Sequence, residues 1–146
     1  MYSREESAKI REEFWVSYGK SFPRKWVLYN TKIKNFGFKF IANRKLAEVT
    51  LDIECVDPVQ RELMYDQLFA LKNILQDDYL PDVVYDKDFF LENGKLISRV
   101  SVVHAKEFSI HNKDSWLDCF TFFNKTMHQF ELFWHEYEDF IRQAVI

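Results

Sequence analysis

The stretch HQFELFWHEYEDF, residues 128–140, sets His128, Glu131 and His135 along what its periodicity predicts to be a helix. Imidazoles and carboxylates repeated on one helix face can ligate a metal ion. The spacing tests that chemistry. Seven residues separate the two histidines by roughly 10 Å along a helix axis, whereas zinc sits about 2 Å from each ligand. The two histidines therefore make a poor single site, and Glu131 with His135 would need ligands from elsewhere. On a helical wheel Trp116, Phe120, Phe123, Met127, Phe130, Trp134 and Ile141 fall on one side. His128, Glu131 and His135 fall opposite, with Asn124 and Arg142. The stretch is predicted to be a core helix with a solvated polar face, and no metal ligands are assigned to it.

Other catalytic patterns are missing. The chain has three glycines and no phosphate-binding glycine loop, nucleophile elbow or HExxH. No catalytic residue and no cofactor is assigned. Glu48, Asp52 and Glu54 form an acidic row on one face of a predicted strand. Such rows can bind magnesium, but a solvent-facing strand accounts for this one. Cys55 and Cys119 belong to no CxxC pair and read as two structural thiols of a reducing compartment.

Charge is unevenly distributed. The net charge is −3, with pI near 5.8, which argues against a general nucleic-acid binder. Yet Lys20, Arg24, Lys25, Lys32, Lys34, Lys39, Arg44 and Lys45 follow one another with no acid between them, so the remaining 120 residues carry −11. Trp26, Tyr29 and three phenylalanines interleave with these cations. Basic groups beside aromatic faces suit single-stranded nucleic acid or another polyanion. Lys32, Lys34, Lys39, Arg44 and Lys45 are the candidate polyanion-binding residues.

The elements that must position these groups are legible from caps and periodicity. Ser3 and Glu6 form a capping box opening a first helix, with Ile10, Phe14 and Tyr18 at helical spacing and Gly19 as a stop. Asp57, Pro58 and Gln60 open a second, whose buried stripe is Leu63, Met64, Leu68, Leu71 and Leu75. Ser115 and Asp118 are the expected caps of the final helix.

Two hairpins lie between. In the first, alternation pairs Ile41 with Leu46, Phe40 with Ala47, Phe38 with Val49 and Phe36 with Leu51, leaving Lys39 opposite Glu48 on a wet face. In the second, Asn93-Gly94 predicts a two-residue type I′ turn. That register sets Glu92 against Lys95, Asp88 against Arg99 and Tyr85 against Val102. A short strand is expected over Trp26 to Asn30. The order predicts one α+β domain over residues 1–146, a mostly antiparallel sheet of four to five strands covered by three helices.

The final helix shows an apolar arc of roughly 160°, wider than the stripe of about 100° that a surface helix offers a core. Its shoulder, Phe122, Phe133 and Phe140, is the candidate interface for a homodimer or a protein partner. The N-terminus has no apolar leader and the chain no 18-residue apolar stretch. A cytoplasmic protein without membrane contact is expected.

Several segments together carry a family resemblance: IREEFW, WVLYNTKIKNFGFKF, DPVQRELMYDQL, ENGKLISRV and SIHNKDSW, followed by the aromatic helix. In this order they resemble the uncharacterised, largely bacterial family called domain of unknown function 4268. The family implies no established activity. In some of its longer members a similar domain follows a nuclease-like region, which hints at association with nucleic acid. The element order up to residue 90 also looks like the core of restriction-endonuclease-like folds, which hold magnesium through strand acids and an acid-x-Lys motif. FGFKF has no acid, and no lysine follows Asp52 or Glu54 two residues on. The reading is a non-enzymatic binding module. A degenerate relative of those nucleases, with Asp52 and Glu54 as ligands, is the alternative.

Overall fold

A computed structural model describes residues 2–24, 26 and 30–145. The chain orders itself as α1 (Arg4–Ser21), β1 (Phe36–Ala42), β2 (Ala47–Ile53), α2 (Pro58–Ala70), α3 (Lys72–Asp78), β3 (Val84–Phe90), β4 (Leu96–Val103), a 3₁₀ turn (Lys113–Ser115) and α4 (Trp116–Arg142). The strands make one antiparallel sheet in the order β1-β2-β4-β3. The architecture is α+β, as expected. The strand expected over Trp26 to Asn30 lies largely outside the described residues.

Strand parity decides where the core sits. Phe36, Phe38 and Phe40 of β1 point to the same face as Val49, Leu51 and Ile53 of β2 and Val100 and Val102 of β4. The 27-residue α4 lies antiparallel along β1 on that face. Phe36 meets Trp134 at 5.6 Å between ring centroids, Phe38 meets Phe130 at 5.4 Å, and Phe40 meets Phe123 at 4.6 Å. Burial of each such ring contributes about 1.5–3 kcal/mol. α1 then crosses the first half of α4, its fully buried Phe14 packing on Trp116, Phe120 and Phe123. α2 flanks the far end, where Gln67 donates to the carbonyl of Phe140 and Gln60 to that of Ala144.

Both hairpins depart from the expected registers. In the first, Ala42 pairs with Ala47, Phe40 with Val49, Phe38 with Leu51 and Phe36 with Ile53, a shift of two residues. Asn43 is the reason. Its side chain accepts from the N–H groups of Lys45 and Leu46, and its own N–H reaches the Leu46 carbonyl, so Arg44-Lys45 alone form the loop. Lys39 consequently faces Thr50 rather than Glu48.

In the second hairpin Leu91 pairs with Lys95, leaving a three-residue loop, Glu92-Asn93-Gly94, in which Gly94 alone takes positive φ, +86°. That is the glycine-bulge hairpin rather than type I′. A bulge between Asp86 and Phe89 adds a further residue to β3. Tyr85 therefore pairs with Val100 and Asp86, not Asp88, with Arg99, while Asp88 turns to Arg61.

The helix boundaries differ in detail. The capping box at Ser3 and Glu6 is present, but α1 runs past Gly19 to Ser21. The second predicted helix divides at Leu71, whose φ of −96° and ψ of 5° tighten the turn so that Leu71 and Leu75 both enter the core. Leu63, expected in the buried stripe, is exposed. Ser115 spends its hydroxyl on the carbonyls of Ser109 and Asn112 instead of capping α4.

Candidate functional site

The polar face of α4 is occupied by a segment of the same chain. Arg24 donates to Glu131 and lies 3.3 Å from His128 Nδ1, while its guanidinium stacks 4.0 Å over Trp26. His128 and Glu131 thus dock the chain leading into β1, and His135 stays exposed. No group of three His, Cys, Asp or Glu converges as a metal site among the described residues.

The acidic row is not solvated as expected. β2 is an inner strand, and Glu48, Thr50 and Asp52 are all buried, Asp52 at 1% exposure. Long neighbouring side chains cover them. Arg99 binds Asp52 through Nε at 2.8 Å and Nη2 at 2.9 Å and reaches Glu48 at 3.2 Å, with Phe89 lying over the guanidinium. Lys39 holds Glu54 at 2.6 Å and Asp52 at 3.7 Å, and Lys95 adds a second contact to Glu54 at 3.3 Å. The Lys39 hydrogen bond lowers the pKa of Glu54. Burial raises that of Glu48, against the attraction of Arg99. Asp52 and Glu54, the acids that metal-dependent hydrolysis would require, are committed to three bases.

The five candidate polyanion-binding residues divide. Lys39 is internally paired. Lys32 and Lys34 are exposed before β1, and Lys32 adopts a left-handed φ of 63°. Arg44 and Lys45 are exposed at the turn after β1. A seven-residue strand separates these pairs by roughly 20 Å, so they form two patches.

Arg44 has companions that the linear sequence does not announce. It lines a cleft of about 440 Å³ with Tyr2, Ser7, Arg11, Asn43 and His111. Each wall is fixed by local structure. Ser7 and Arg11 lie at i and i+4 on the α1 face that buries Phe14 and Tyr18. Asn43 shapes the hairpin turn, and its carbonyl accepts from the N–H of Ile110, which brings His111 alongside. Trp116 Nε1 donates to the Ile110 carbonyl at 2.9 Å, anchoring the same segment to α4. Tyr2 rests on His111 with ring centroids 4.4 Å apart. No acid lines this cleft, and neither Arg11 nor Arg44 is in an ion pair among the described residues. Only the arginine at the turn was foreseeable from charge clustering. Arg11 and His111 join it from segments far apart in sequence.

The three shoulder phenylalanines of α4 also separate. Phe133 has no exposure and packs on Tyr79 and Tyr137 within the chain's own core. Phe140 is half-buried there. Phe122, nearer the start of the same helix, is half-buried against His104, ring centroids 4.8 Å apart, at a groove whose lining also includes Tyr79. Both cysteines are buried free thiols, that of Cys119 pushed up to about 12 by burial. No helix among the described residues is long and apolar enough to cross a membrane.

No curated protein and no solved structure matches the chain. The model of one family does, that described as Domain of unknown function (DUF4268), over residues 10–138. That span takes in most of α1, the whole sheet and nearly all of α4, and the chain belongs to this family.

Proposed function

We propose that this protein is a binding module for phosphate-bearing polyanions, single-stranded nucleic acid foremost, and that Arg11 and Arg44 hold a phosphate in the cleft beside His111. The observation that carries this reading is two arginines, neither in an ion pair among the described residues, in one concavity that no acid lines. Buried or paired arginines serve a fold. Like charges that line one cleft repel, and a bound anion relieves that repulsion. Guanidinium forks suit phosphate oxygens through bidentate hydrogen bonds. Tyr2, 46% exposed and resting on His111, adds an aromatic surface on which a base can stack. Lys45, exposed at the same turn, extends the positive surface along a bound strand.

The test is fluorescence anisotropy with a labelled oligothymidylate, against unlabelled polyphosphate as competitor. Binding is expected at about 50 mM salt and should weaken as salt rises, each contacted phosphate adding about 0.7 to the logarithmic slope. Arg11→Gln with Arg44→Gln should weaken it by about tenfold or more, since each phosphate contact to a charged donor is worth about 1.5 kcal/mol. Lys32→Gln with Lys34→Gln, at the far end of β1, should change it little. Absence of any binding at low salt, or equal losses from the two double variants, would sink the assignment.

A further inference from the structure

A second concavity, independent of the arginine cleft, lies between the first half of α4 and the end of β4. It encloses about 590 Å³ between the turn after α3, the end of β4 and the α4 stripe Phe122, Lys125, Thr126 and Gln129. Its floor is apolar: Leu80 and Val102 are each 6% exposed. One wall is a tilted aromatic pair, His104 against Phe122, with ring centroids 4.8 Å apart and an interplanar angle of 30°. The Nε2 of His104 is buried with no hydrogen-bond partner among the described residues, and burial lowers the pKa of the ring. Volume and lining match those of small-molecule sites, which are mostly apolar with a few placed polar groups.

The charges narrow the occupant. The lining carries Lys106 and Lys125 against a single acid, Asp82. Lys106 is engaged by Asp118 at 3.4 Å. Lys125 is exposed and forms no ion pair among the described residues. It stands one helical turn from Phe122 on the same side of α4, so a planar body resting on Phe122 would bring an attached anionic group to the Lys125 ammonium. We infer that this groove is a binding site for a small, planar, apolar carboxylic acid, its ring on the Phe122–His104 wall and its carboxylate on Lys125.

The probe is 2-naphthoate, with the uncharged 2-naphthamide as its matched control, followed through the methyl resonances of Leu80, Val102 and Val103. 2-Naphthoate should shift these signals with a Kd of about 1 mM or tighter, within reach of a ligand this small. It should bind about fivefold more tightly than the amide, the advantage of a partly exposed ion pair. Because Lys125 is exposed and unpaired, Lys125→Gln should fold normally, bind the amide as before and lose the preference for the acid. Phe122→Ala should weaken both ligands. If the acid leaves these methyl groups unmoved, or the amide binds wild type equally well, the inference is overturned. The arginine cleft is unaffected by either result.

Discussion

Arg99 binds both Asp52 and Glu48 on the sheet face opposite α4, and all three groups are nearly shut off from water. Removing the guanidinium strands two buried acids. Arg99→Met should therefore cost about 3–5 kcal/mol in urea denaturation at neutral pH. Burial already raises the pKa of Glu48, so its neutral form is the better tolerated in the fold. The deficit of the variant should accordingly shrink as pH falls and Glu48 takes up a proton. His104 behaves in the opposite sense. Burial lowers its pKa, opposed by Asp118 and assisted by Lys106. A depressed value means stability present above the ordinary histidine pKa and lost as pH falls through the folded one. Thermal unfolding temperature should thus decline on acidification below about 6.5, and His104→Phe, which keeps a ring against Phe122, should remove that component. Residues of this kind were half legible. The acids of β2 stood out by alternation, but alternation assigns a face and says nothing of what covers it. The arginine four residues after the ENGK turn was expected to meet Asp88; the loop and the bulge carry Asp88 away, and the pairing of β4 with β2 sets Asp52 opposite it instead.

Elements were easier to find than to align. Both hairpins, the caps of α1 and α2 and the long aromatic helix follow from turn residues, caps and periodicity. The first register failed by two residues because hydrophobic alternation has period two: any even shift keeps every phenylalanine on the core face. Turn chemistry broke the degeneracy, through the Asn43 side chain. In the second hairpin the same chemistry places the burden on one residue. Gly94 holds φ at +86° with open space around it, so an added Cβ meets no atom and only the backbone resists. Gly94→Ala should destabilise by about 1 kcal/mol, measured by chemical denaturation, whereas Asn93→Ala should lose only the side-chain bond to Lys95. For α4, a wide apolar arc suggested a second surface. The structure uses much of that width itself, since Phe133 fills a hole under Tyr79. Phe133→Ala should cost about 3–5 kcal/mol, and a loss below 1 kcal/mol by the same denaturation would mean the ring is not core.

At the scale of the whole molecule, the charged segment from Lys20 to Lys45 is one run in sequence but at least four environments in space: Arg24 clasped by α4, Lys32 and Lys34 exposed before β1, Lys39 held by β2, and Arg44 in a cleft with Arg11 and His111. A linear reading sees cations and their neighbours along the chain. It cannot see that Ile110 hydrogen-bonds Asn43, which is what makes the cleft. The position of α4 also bears on how the protein comes into being. The aromatic face of β1 and the buried side of α1 both close on a helix that begins only at Trp116. A ribosome must therefore deliver α4, the last element of this fold, before either surface has a partner. Until then Phe36, Phe38 and Phe40 form an oily stripe on an edge strand, the situation in which nascent chains recruit chaperones or stick to one another. A fragment ending at residue 112 should accordingly remain unfolded or associate, giving no dispersed amide spectrum and a rising light-scattering signal. Adding the separate peptide 113–145 should restore the dispersion, as a template finished by its missing half.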